Sequence, residues 1–515
     1  MKIAIVAPSS IPYTVGGAEK FWWGLLQSIN QGTKHEVELI KVPGLEKDFW
    51  SIIESYRHFS ELNLDHFDLL ISTKYPAWMV SHPNHTVYMQ HKLRGLYDTY
   101  PKDAPVEFDG PVPAALLPVV TALTELPASR ESLPAMFQLL KELKELSLLD
   151  AAEQLPSIPS LRAHGSTPRR GNLAPYLTLP GVLIRKLVHW FDDVALSPCQ
   201  IKKYFAISAN VAARKDYFPA GVPVEVLHHP SDMNATASTA YDYLFTVSRL
   251  DKPKRLSLLI DAFKQVSTYR EFRIAGIGPE YEALKSQAAS DPRIKFLGRL
   301  TDAEIAEQYA GALFVPFVPF DEDYGLITIE AMRCGKAVLT TTDAGGVNEF
   351  VVDSQTGLSV SNTVTAIAAA MQALCDDPHK TESMGGAARE KVKAITWQKT
   401  IDRLLPRPLL DLNALNSIDS LTPLPVSAVN ACSFNACSLA PAVLSGSTRD
   451  SVTKAKILVL VPFPVHPAIG GGQKRVLHLN IQPIFIKPTI SIHWLISVVK
   501  IKSKHSILLM TYWEI

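Results

Sequence analysis

An α/β protein built from two strand–loop–helix series is what this chain predicts, and three observations carry the prediction. Short β-type apolar runs alternate with amphipathic stretches over residues 1–235, with a break at about 101–180, and again over 241–385. Alternation of this kind builds parallel sheets covered by helices. The loops that follow the runs hold the glycines and charges, as at Gly16-Gly17, Arg249 to Lys254, Gly276-Ile-Gly278 and Glu322 to Gly325. In an open parallel sheet that edge is where ligands sit. A length of 515 residues with 47% hydrophobic and 20% charged residues is ample for two or more cores.

Composition excludes several function classes. Lys and Arg number 51 against 50 Asp and Glu, a net charge of +1, so nothing in the total points to nucleic acid. Cys199, Cys334, Cys375, Cys432 and Cys437 form no CxxC pair and no Cys/His ligand cluster. They read as reduced thiols of a cytosolic protein, and no metal site is expected. The opening Met1 to Pro8 is too short an apolar run for a signal peptide, and no run approaches the roughly 18 apolar residues of a membrane span.

The stretch Glu322-Asp-Tyr-Gly-Leu-Ile-Thr-Ile-Glu330 follows the β-type run Ala312 to Phe317 and precedes the run Ala337 to Thr341. It reads as loop, then helix N-terminus. Gly325 lets backbone N–H groups come close to an anion, which the helix dipole also favours. Glu322 in the loop is placed to reach hydroxyl groups, and Glu330, about one turn into the helix, to accept hydrogen bonds. A plain surface loop with one helix carboxylate fits the same residues.

Glu322 and Glu330, seven residues between them and an aromatic-Gly-Leu inside, resemble the signature of glycosyltransferase family 4, which has the GT-B fold: two doubly wound Rossmann-like domains facing across a cleft. Other loops strengthen the likeness. Gly16 and Gly17 match the family's glycine-rich first loop under the donor diphosphate. Arg249 and Lys254 match its Arg-Leu-x-x-x-Lys element, whose cations neutralise the leaving nucleoside diphosphate. Arg255 stands where glycine is usual, which leaves the roles of Lys252, Lys254 and Arg255 open. Gly276 and Gly278 match a loop lining the nucleotide pocket, and a lone Gly-x-Gly is a weak signal by itself. His91, closing the run Thr86 to Gln90, matches a histidine near the donor sugar, although local backbone groups would also satisfy it.

The resemblance implies a retaining, metal-independent hexosyltransferase with no cofactor, since the nucleotide-sugar is a substrate. Glu322, His91, Arg249 and Lys254 would form the catalytic set. Donor binding would add Gly16, Gly17, Gly276, Gly278, Gly325, Leu326, Ile327 and Glu330. Expected partners are a nucleotide-sugar and a glycan or lipid-linked acceptor, in polysaccharide or glycolipid synthesis. A catalytically inactive scaffold and a GT-B epimerase or phosphorylase are the alternatives.

The likeness spans about residues 1–405, and the helical insert at about 101–180 is its main departure. Residues 1–235 are expected as the acceptor-side domain, 241–385 as the nucleotide-sugar domain and 386–407 as helices crossing back. Within the insert, Leu139, Leu140, Leu143 and Leu146 make a helical stripe, either core or an acceptor lid. A strand is expected at Asp193 to Ser197, with further strands at Tyr204 to Ser208 and Val224 to His228. Residues 411–453 read as a linker. Lys456 to Lys474 repeats the opening of the chain, with Gly470 and Gly471 for Gly16 and Gly17, so 454–480 reads as the start of a second, truncated copy. The tail 481–515 is apolar and basic and leaves contact with the inner face of a membrane open for an otherwise cytoplasmic protein.

Overall fold

The computed structural model describes residues 1–10, 16–153, 172–233 and 240–405. The expected linker, second copy and tail (411–515) lie outside the described residues, as do 154–171 of the insert.

Six parallel strands form the N-terminal lobe: β1 (Lys2–Ser10), β2 (Glu36–Gly44), β3 (Leu69–Lys74), β4 (His85–His91), β5 (Ile201–Ala206) and β6 (Val224–Val226), in the order β2-β1-β3-β4-β5-β6. β1 opens as a continuous apolar run because helices cover both faces of the sheet. Ile3, Ala4, Ile5, Val6 and Ala7 are all fully buried. The covering helices are α1 (Gly17–Gly32), α2 (Phe49–Ser60), α3 (Leu117–Glu125), α4 (Leu133–Glu153), α5 (Val182–Ala195) and the single turn α6 (Ala209–Ala212).

The insert supplies α3 and α4. Leu140 and Leu143 of the predicted stripe are buried in the lobe's core and Leu139 and Leu146 pack against it. The described part of the insert is therefore a packed layer of the lobe. The predicted strand at Asp193–Ser197 is instead the end of α5. Leu183, Ile184, Leu187, Val188, Phe191 and Val194 are buried at helical spacing, and that period carries the chain through Asp193 to Ala195. Asp192 anchors this helix. It is fully buried and accepts hydrogen bonds from Tyr56 Oη (2.9 Å), Trp78 Nε1 (2.8 Å) and Tyr97 Oη (2.7 Å), the donors a buried carboxylate requires.

A second parallel sheet contains β7 (Tyr243–Val247), β8 (Phe272–Ala275), β9 (Ile294–Gly298), β10 (Ala312–Pro316), β11 (Ala337–Thr341) and β12 (Gly357–Val360), in the order β12-β11-β10-β7-β8-β9. Its helices are α7 (Leu256–Phe263), α8 (Tyr281–Ala288), α9 (Asp302–Gly311), α10 (Leu326–Arg333), α11 (Val364–Asp376) and α12 (Pro378–Val392). Chain direction across this sheet reverses between β7 and β10, the point where a doubly wound sheet opens a crevice at its carboxyl edge. The cation loop follows β7 and the acidic loop follows β10.

The last helix among the described residues, α13 (Trp397–Leu404), lies on the N-terminal lobe beside α1. Trp397 Nε1 donates to Asp232 at 2.5 Å and Thr400 Oγ1 to the His228 carbonyl at 3.1 Å. An aromatic series from Phe21 through His229 to Tyr324 and Phe350, with centroids 4.6, 4.5 and 5.3 Å apart, joins the two lobes.

Candidate active site

The loop after β7 offers four cations in different situations. Lys254 ends a single 3-10 turn and places Nζ 2.6 Å from Glu322 Oε2. Arg255, in a left-handed conformation (φ +53°), makes a two-pronged pair with Asp343 at 2.9 and 2.8 Å. Burial would raise the Asp343 carboxyl, but hydrogen bonds from Arg255, Thr341 and Asn362 bring it down to about 2. Arg249 is exposed, with its Nε 3.4 Å from Asp251. Of the three whose roles the sequence leaves open, Lys254 meets the acidic loop, Arg255 is held by Asp343, and Lys252 is exposed.

Gly276 and Gly278 lie directly beneath this loop. A Cβ on Gly276 (φ +119°) would stand 1.8 Å from the Ser248 carbonyl oxygen, and one on Gly278 2.3 Å from that of Leu250. The two glycines let adjacent loops cross in contact, a backbone need separate from any ligand.

The acidic loop is held on a second glycine pair. Glu322 bridges Gly345, whose added Cβ would stand 2.6 Å from the Glu322 carbonyl oxygen. Gly325 (φ +80°) then turns the chain into α10, which begins at Leu326 and Ile327. The Leu326 side chain reaches to 4.0 Å from where a Gly17 Cβ would be, so the first turns of α1 and α10 approach one another across the lobes. Gly16 caps α1, and its N–H donates to Glu19 at 2.9 Å. Glu330 is buried, accepts from Ser231 Oγ at 2.9 Å and lies 4.0 Å from Lys20 Nζ.

His91 ends β4 with Nδ1 2.7 Å from the Lys92 carbonyl. Burial, and then Lys74, lower its pKa, so the ring is neutral near pH 7, and it is electrostatically coupled to Asp323 of the acidic loop. Gly16, Gly17, His91, Lys254, Glu322, Gly325, Leu326 and Glu330 are therefore brought to the facing edges of the two lobes. Ile327 follows in the first turn of α10, and Gly276 and Gly278 stand behind the cation loop. A wide cavity of about 970 Å³ lies elsewhere, between β5, β6 and α13, and holds none of these residues.

Several residues at this edge went unpredicted. Arg94 and Arg214 of the N-terminal lobe pair with Asp321 and Asp323, Asn210 donates to Asp321 and the Glu322 carbonyl, and Lys20 pairs with Asp302 at 2.6 Å. The only sequence signal was the Asp321-Glu322-Asp323 triplet, too many acids for one sugar contact. Among the described residues no cluster of His, Cys, Asp or Glu is arranged to hold a metal ion.

Comparison with known proteins supports the resemblance. Residues 232–391 match the model of the family described as glycosyl transferases group 1. An uncharacterized glycosyltransferase of Methanocaldococcus jannaschii is 24% identical over 206 residues, covering 39% of this chain and 56% of the relative. A D-inositol 3-phosphate glycosyltransferase of Kribbella flavida is 32% identical over 129 residues, covering 25% of this chain and 30% of the relative. The chain thus spans about half the length of the first relative and less than a third of the second. In three dimensions, sucrose-phosphate synthase from Thermosynechococcus elongatus superimposes with a TM-score of 0.51 at 14% identity, covering 78% of this chain and 96% of that one. That likeness is one of fold, the two-lobed α/β arrangement expected as GT-B.

Proposed function

We propose that this chain, whose residues 232–391 carry the glycosyl transferases group 1 match, moves a sugar from a nucleotide-sugar to an acceptor hydroxyl with retention of anomeric configuration. The observation that carries the reading is the meeting of Lys254 and Glu322 at 2.6 Å, from the two loops that flank the crevice of the second sheet. A cation and a carboxylate side by side suit a donor that has a diphosphate next to a polyhydroxy ring.

In this reading Arg249 and Lys254 grip the diphosphate, Arg249 with two prongs and Lys254 as a point charge. Binding draws Lys254 toward phosphate oxygens and frees the Glu322 carboxylate to accept from sugar hydroxyls. Negative charge grows on the departing diphosphate as the glycosidic bond breaks. The cations already on the phosphates, together with the N–H groups at the start of α10, stabilise it most at that moment. Glu330 faces the ribose, while Gly16 and Gly17 under the diphosphate and neutral His91 beside the sugar complete the site when the lobes close. Gly276 and Gly278 shape the nucleotide side. The reaction needs no bound metal or cofactor in this reading, because the cations take the role of the counter-ion.

The acceptor is a glycan or lipid-linked hydroxyl, in cell-surface polysaccharide or glycolipid synthesis, reached from the cytoplasm or the inner face of the membrane. No helix among the described residues is long and apolar enough to cross a membrane. The test is a thermal-shift screen of nucleotide-sugars, followed by an assay for nucleoside diphosphate release. Release that depends on acceptor supports transfer. Binding without turnover identifies an inactive scaffold, and turnover without acceptor an epimerase or related activity.

A further inference from the structure

The three consecutive acids of the β10 loop do not point the same way. Asp321 and Asp323 turn into the N-terminal lobe, and Glu322 between them turns back to Lys254 of its own lobe. Arg94 donates to the Asp321 carboxylate at 2.6 Å and to its carbonyl at 2.9 Å, and its Nη1 stands 3.3 Å from Asp323 Oδ1. Arg214 reaches the same carboxylate and carbonyl at 3.1 Å each and pairs closely with Asp323. Further acceptors of the loop are taken as well. Asn210 Nδ2 donates to Asp321 Oδ1 at 2.8 Å and to the Glu322 carbonyl at 3.0 Å, and Ser208 Oγ donates to the Asp323 carbonyl at 2.5 Å.

The backbone of all three acids is thus bonded to the opposite lobe. The arginines are themselves aimed by Asp98, 2.7 Å from Arg94 and 3.7 Å from Arg214. Tyr217 Oη holds Asp98 in turn at 2.7 Å. Two cations face three carboxylates here, so no positive charge is left over for an anionic ligand. That balance argues against a phosphate subsite and for a fastening.

We infer that Arg94 and Arg214 are positioning residues, which make the placement of the Glu322 carboxylate conditional on the N-terminal lobe being seated against the acidic loop. The inference rests on the reading of Glu322 as the sugar-binding carboxylate. Its consequence is a division of labour. Diphosphate binding rests chiefly on the C-terminal lobe, whereas the sugar-side carboxylate is set only when the lobes are together, so an open molecule holds donor without completing the site.

The experiment uses the full chain with Arg94→Ala, Arg94→Lys and, as a milder break of the same contact, Asp321→Asn. Hydrogen–deuterium exchange is followed separately in the 319–325 and 249–255 segments. The expected result is faster exchange in the acidic loop with the cation loop unchanged. Nucleoside diphosphate affinity stays within about twofold of wild type, while kcat falls about tenfold or more for a displaced contact. Arg94→Lys recovers part of the loss. In a Glu322→Gln background Arg94→Ala has little further effect on kcat, since both act through one group. Unchanged exchange in 319–325 overturns the inference whatever the activity. So does a loss of kcat that is as large with Glu322→Gln as without it. Failure of wild type to bind any nucleoside diphosphate would instead count against the proposed function, and the exchange measurement still decides the fastening.

Discussion

Lys20 Nζ lies 4.0 Å from Glu330 Oε1, which sets the first helix of one lobe against the signature helix of the other. Burial raises the Glu330 pKa above the ordinary carboxylate value, with Lys20 and Ser231 only partly offsetting it. A carboxyl whose folded pKa is raised binds its proton more tightly when folded than when unfolded. Stability from this group therefore falls as pH rises from the ordinary value of 4.5 through the folded one. Glu330→Gln is expected to melt at or above the wild-type temperature at pH about 7, with the gain vanishing near pH about 4. Donor turnover should fall in the same variant, as at a site where function is kept at some cost in stability. Melting curves across that range, with an assay at each end, decide it.

Arg249 exposes most of its side chain and has no tight partner, so its removal should leave folding free energy within about 0.5 kcal/mol. Arg249→Ala is nonetheless expected to slow transfer by about a hundredfold, the scale of one lost charge-stabilising donor. Urea unfolding and initial rates on the same preparation test both halves. A variant that turns over at the wild-type rate removes Arg249 from the site.

Asp343 behaves oppositely to Glu330. Its pKa is held at about 2, below the ordinary 3.8, because the bonds from Arg255, Thr341 and Asn362 outweigh burial. Such a group contributes stability that is present above 3.8 and lost as pH falls toward 2. Asp343→Asn should therefore lower the melting temperature at neutral pH and cost progressively less below pH about 4. An equal deficit at all pH values would assign the loss to packing instead.

Gly276→Ala should destabilise by about 3 kcal/mol or more, since its Cβ would sit 1.8 Å from a backbone oxygen at a positive φ. Gly386→Ala, with open space around its Cβ and a place in α12, is the control and should be neutral or mildly stabilising. Denaturant midpoints compare the two.

Much of this architecture was legible because it is written in near neighbours. Apolar runs such as Ile3 to Ala7 and Ala312 to Val315 show buried parallel strands, and the glycines and charges after them mark the sheet edge. Asp193 to Ser197 misled because a short apolar run reads equally as strand or helix. Only the buried positions from Leu183 onward showed that the helical period continued. Beyond the surplus of acids at Asp321 to Asp323, nothing pointed to Arg94 and Arg214 themselves, as they stand 227 and 107 positions from Asp321. Nothing local distinguishes an arginine in such a pair from a solvated one.

By itself the sequence determined the two βα series and the glycines and charged residues that each loop carries, since periodicity and turn chemistry act over a few residues. Only the tertiary structure decided which cation meets Glu322, that Glu330 is buried beside Lys20, and that the acidic loop is fastened from the other lobe. Those pairings follow from how two separately wound sheets come to face one another. That depends on shape and on burial summed over the whole chain.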